Sequence, residues 1–64
     1  MDSTYKIIGG IQFHYVDYTA NKADATAWAK RIRKSGYLAR VIPYLADGRY
    51  RRYAIYQSTR KAKE

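Results

Sequence analysis

Apolar and polar positions alternate along the first third of the chain. Ile11, Phe13 and Tyr15 alternate with Gln12, His14 and Val16, which is the two-residue period of a strand. The extended segment spans residues 4–18, and Gly9-Gly10 interrupts it. Two glycines between apolar runs suit a two-residue hairpin turn, and they equally suit a bulge within one long strand. In the hairpin register Ile8 faces Ile11, and Lys6 then shares a face with Phe13. The sequence leaves the two readings open.

The period changes after Asn21. Ala25, Trp28, Ala29 and Ile32 follow i, i+3, i+4, i+7 spacing, which is one apolar stripe of a helix over 22–35. Asn21 is placed to cap it, Asp24 suits its first turn, and Gly36 suits the left-handed residue beyond its end. Trp28 is the expected core anchor, and the alanines beside it let the helix lie close to a sheet.

Two further strands are expected at 37–44 and 50–57. Tyr37, Ala39 and Val41 fall on one face of the first; Leu38, Arg40, Ile42 and Tyr44 fall on the other. Pro43 has no N–H to give to a ladder, so it should end this strand or mark an edge. Asp47-Gly48 is a strong turn signal. On the return strand Arg51, Tyr53 and Ile55 alternate with Arg52, Ala54 and Tyr56, and either face can be the buried one. Residues 58–64 read as a frayed basic tail. The order predicts an α+β domain over 1–64, in which one helix packs on one face of a sheet of three to four strands. The other face stays open, lined by Tyr and Arg.

Composition narrows the function classes. Sixty-four residues suffice for one domain with a small core. With no cysteine there is neither a disulfide nor a thiolate metal site. Neither a signal peptide nor an apolar span is visible, so the expected setting is cytoplasmic, without a membrane partner. His14 is the single histidine and the carboxylates are scattered. Metal binding and Ser-His-Asp chemistry therefore lack their parts, and neither a catalytic constellation nor a cofactor is expected. Gly9-Gly10 lacks the flanking pattern of a phosphate loop.

Charge changes the picture most. The formal net charge is +8, and it is segregated. Up to Ala29 the cations Lys6 and Lys22 meet Asp2, Asp17 and Asp24. From Lys30 onward eleven cations meet only Asp47 and Glu64. A field of this sign draws polyanions. The chief candidate surface is Arg49, Tyr50, Arg51, Arg52, Tyr53 and Tyr56, joined by Arg40 and Tyr44. Arginine pairs with phosphate through a planar fork, and tyrosine gives unpaired bases a flat ring to stack on. Lys30, Arg31, Arg33 and Lys34 form a second candidate, although cations at a helix C-terminus also offset its dipole. Arg60 and Lys61 offer a mobile arm. Only Gln12, Asn21 and Gln57 are suited to amide base reading, so low sequence specificity is expected.

Tyr5-Lys6-Ile7-Ile8-Gly9-Gly10, the run from Ala25 through Trp28, Gly36 and Ala39 to Val41, and Gly48-Arg49-Tyr50-Arg51 together resemble the first half of a SPOR domain. The likeness spans about residues 5–56. It implies a β-α-β-β core and, through the family's βαββαβ fold, binding to peptidoglycan glycan strands. The stretch after Gly10 is longer than the family pattern, and the charge is more basic. Small basic β-α-β-β proteins of archaea, viruses and plasmids share the same look. Three function classes follow: a nucleic-acid binder held mainly by phosphate contacts, a protein-interaction module using a Tyr/Arg surface, and a glycan binder. Whether the chain forms a homodimer is left open by the sequence.

Overall fold

The computed structural model describes residues 5–61. Their order is β1 (Tyr5–Ile8), β2 (Ile11–Thr19), α1 (Lys22–Lys34), β3 (Tyr37–Ala46) and β4 (Tyr50–Lys61). The four strands form one antiparallel sheet in the order β1-β2-β4-β3. The expected small α+β architecture is present, with four strands and one helix. The helix carries the chain from β2 across to β3, and β4 then returns between them.

Gly9-Gly10 is a hairpin turn. Both residues take positive φ, at 58° and 80°, which side chains with a Cβ rarely adopt. Ile8 pairs with Ile11 and Lys6 with Phe13. At the second hairpin Asp47 and Gly48 also have positive φ, and the Arg49 N–H donates to the Ala46 carbonyl at 2.9 Å.

The helix begins where the sequence places it. The Asn21 side chain accepts a 2.7 Å hydrogen bond from the Ala23 N–H, and Ser35 closes the C-terminal end. Its buried residues are Ala25, Ala29 and Ile32, which meet Ala39 and Ile55 of the sheet. Trp28 is a correction: it is half-buried and packs at the margin of this cluster. Ala25 and Ala29 take the buried positions of the contact, and Trp28 packs beside them. Tyr37, Val41 and Tyr53 complete this side. The helix thus covers the Tyr53–Ile55 face of the last hairpin.

Both C-terminal strands outrun their expected ends. β3 continues through Pro43 to Ala46, because Pro43 lies on an edge strand where a missing N–H is tolerated. β4 continues to Lys61, so residues 58–61 are strand rather than frayed tail; 62–64 lie outside the described residues. Ser58 holds this extension. It is 1% exposed, and its Oγ accepts from the Leu38 N–H at 3.0 Å and donates to the Arg60 carbonyl at 2.6 Å.

The ladder is broken in two places. Val16 is an extra residue between the Tyr15–Tyr56 and Asp17–Ile55 pairs, and a second register shift falls between Tyr37 and Ala39. Bulges of this kind bend a strand and increase its twist. The sheet is curled accordingly, and its face away from the helix buries residues of its own. Phe13 and Ala54 are buried yet stand outside the helix-side cluster.

Candidate nucleic-acid interface

Cross-strand register decides which side chains share the face away from the helix. Arg40, Tyr56 and Tyr15 lie in one row; Ile42, Ala54 and Tyr18 lie in the next; Tyr44 pairs with Arg52, and Ala46 with Tyr50. Lys6 joins them through the row it shares with Phe13 and Ser58. Five of the eight tyrosines, Tyr15, Tyr18, Tyr44, Tyr50 and Tyr56, therefore occupy this one face. Lys6, Arg40 and Arg52 are its cations.

Cations and rings are in contact there. The Arg52 guanidinium lies 5.5 Å from the centre of the Tyr50 ring, and the Lys6 ammonium lies 5.9 Å from that of Tyr56. Such pairs attract through the ring quadrupole. Tyr15 meets Tyr56 edge to face at 5.8 Å. Lys6, Tyr15, Ile42, Tyr44, Ala54 and Tyr56 surround a recess of about 240 Å³. Partial desolvation by its neighbours, and the negative charge of Asp17, raise the Tyr15 phenol above its ordinary pKa of 10.0, although the residue remains 38% exposed.

The described carboxylates lie elsewhere. Asp17 pairs with Ile55 on the helix side of the sheet, where it accepts from the Tyr18 N–H at 2.7 Å. Asp24 sits in the first turn of α1, and Asp47 sits in the β3–β4 turn. The open sheet face thus presents no carboxylate of its own among the described residues, although the charge of Asp17 still acts on the Tyr15 phenol.

The fourteen residues singled out in the sequence do not form one surface. Arg40, Tyr44, Tyr50, Arg52 and Tyr56 share the open face. Arg51 and Tyr53 take the opposite register. Tyr53 packs against the helix-side core, and Arg51 lies with Leu45, Pro43 and Tyr44 near the edge of the sheet. Arg49 is at the turn. The helix cations are divided by helical periodicity. Lys30, Arg31 and Lys34 fall on the far side of the helix from the Ala25–Ala29–Ile32 stripe, while Arg33 lies beside it. Arg33 donates to the Ala39 carbonyl at 3.4 Å. Arg60 and Lys61 belong to β4 and do not form an arm; the Lys61 ammonium lies 5.9 Å from the Tyr37 ring centre.

Lys6, Tyr15 and Tyr18 were not among those fourteen. The signal for them was the hairpin register itself. Placing Lys6 beside Phe13 looks like a conflict only if that face must be dry. On an open, curled face Phe13 is covered at the end of the sheet, in a cleft lined also by Ile8, Ile11, Leu38 and Arg40, and Lys6 rests on a tyrosine.

Among the described residues, no three His, Cys, Asp or Glu side chains come together in a way that could hold a metal ion. No described helix is long and apolar enough to cross a membrane. The chain matches no family model, curated protein or solved structure.

Proposed function

We propose that this protein is a non-enzymatic nucleic-acid-binding protein acting in the cytoplasm, and that the open sheet face is its contact surface. The observation that carries this reading is the gathering of five tyrosines with Lys6, Arg40 and Arg52 on a face free of described carboxylates. Arginine and lysine neutralise phosphates, and tyrosine rings accept bases by stacking while their hydroxyls reach the backbone. The whole-chain charge of +8 supports the same partner, because it draws polyanions from a distance. Phosphate contacts supply most of the affinity, and sequence preference is low. Gln12 and Gln57 fall on the helix side by register, so neither amide reads bases from this face.

The test is a titration of labelled DNA and RNA, single- and double-stranded, at two salt concentrations. Binding that weakens steeply with salt is expected. No binding at low salt overturns the reading and leaves a protein-interaction surface, for which tyrosine and arginine are also suited. Binding to glycan strands that is indifferent to salt would favour the SPOR-like alternative.

A further inference from the structure

We propose that the recess between Tyr15, Tyr44 and Tyr56 receives one unpaired nucleobase, so that the site takes single strands in preference to duplex. This rests on the nucleic-acid reading of the open face and names the form of ligand that it takes.

The recess has a definite origin. Ala54 lies in the middle of its row, between Ile42 on β3 and Tyr18 on β2. Larger side chains stand around it, so the alanine forms a floor and Tyr15, Tyr44, Tyr56 and Ile42 form walls. Its size is not imposed by the helix. Ala25, Ala29 and Ala39 are small where helix meets sheet, whereas Ala54 turns to the other face.

The chemistry of the walls selects the ligand. In a duplex the flat faces of the bases are covered by their neighbours, and only phosphates, sugars and base edges are presented. Rings in a hollow can stack only on a base that has left the pile. The balance of residues agrees. This face carries more rings than cations, and Arg33 is the helix cation that shares a cleft with it, beside Arg40. Two cations flank Tyr56. Arg40 is its register partner on β3, and Lys6 reaches its ring from β1. The phosphates on either side of an inserted base would then meet Lys6 at the recess and Arg40 beyond Tyr56, with Lys6 exchanging the ring for a phosphate.

The experiment compares three labelled probes by fluorescence anisotropy at one salt concentration. They are a short oligothymidine, a fully abasic deoxyribose-phosphate strand of the same length, and a duplex of equal length. The oligothymidine should bind roughly tenfold or more tightly than either of the others, given what one stacked base contributes. Ala54→Leu fills the recess on the face away from the helix. It should lower single-strand affinity roughly tenfold while leaving the salt slope and the thermal melt unchanged. If that variant does not melt cooperatively, Tyr44→Ala on the edge strand gives the same reading. Equal affinity for all three probes overturns the proposal, as does wild-type affinity in whichever variant folds, and either outcome leaves nucleic-acid binding standing. Failure of the wild type to bind any probe overturns the broader reading itself.

Discussion

Tyr15 and Tyr56 stand opposite each other on β2 and β4, and their rings meet edge to face at 5.8 Å with 72° between planes. They form the last in-register pair before the Val16 bulge, so the pair fixes the ladder where the strand bends. Edge-to-face rings contribute about 0.5–1.5 kcal/mol beyond the area they bury. A double-mutant cycle with Tyr15→Ala and Tyr56→Ala, followed by urea unfolding, should return a coupling in that range. Additive losses would show that the rings are only neighbours. Tyr56→Phe keeps the ring and should keep the stability.

The helix contact makes a different prediction. Ile55 is 0% exposed and meets Ala25 and Ala29, whereas Trp28 lies half-buried at the margin. Ile55→Ala should cost about 2–5 kcal/mol, enough to remove most of the stability of so small a domain. Trp28→Ala should cost less than Ile55→Ala, because part of its ring is already in water. Urea midpoints rank the two. A larger loss at Trp28 would return the anchor role to the tryptophan.

Ser58 tests why β4 runs on beyond Gln57. Its buried hydroxyl is the acceptor for the Leu38 N–H at the register shift of β3. Ser58→Ala leaves that amide without its partner, a loss of about 1–3 kcal/mol when the group is buried. The Leu38 amide should then exchange its hydrogen much faster than in the wild type. Unchanged protection would mean that the strand end is held by the ladder alone.

The parts of this fold that could be read in the sequence are those decided locally. The 3.6-residue stripe from Ala25 to Ile32, the Asn21 cap and the two turns each rest on residues close together in the chain. The two readings of Gly9-Gly10 needed a partner strand to separate them, because β1 becomes an edge only when β4 takes the far side of β2. The basic end of the chain conceals its strand for the same reason. Ser-Thr-Arg-Lys has the composition of a tail, yet Ser58 finds its partner twenty residues away on Leu38. The candidate site was half legible. Alternation placed Arg52, Tyr56, Arg40 and Tyr44 on common faces within their own strands. Which strands lie side by side, and therefore that Lys6, Tyr15 and Tyr18 join them, depends on the register across the bulge at Val16.

Arg51 and Arg52 are adjacent in the chain but lie on opposite faces of β4, and this separates charge from position. Replacing either removes one positive charge, so any effect of net charge on a polyanion should be equal for the two. Arg52 shares its face with Tyr44 and Tyr56 and rests on Tyr50; Arg51 pairs with Leu45 on the other side. If the open face holds the phosphate backbone, Arg52→Ala should reduce the slope of log affinity against log salt by about 0.7–0.9. Arg51→Ala should leave that slope nearly unchanged and lower affinity only through the long-range field. Both side chains reach solvent, so neither change should move the melting midpoint by more than surface substitutions usually do, within about 0.5 kcal/mol. Equal slopes for the two variants would mean that the protein senses only total charge. A larger change at Arg51 would move the interface to the edge formed by Pro43, Leu45 and Arg51, and would leave the tyrosine face without a ligand.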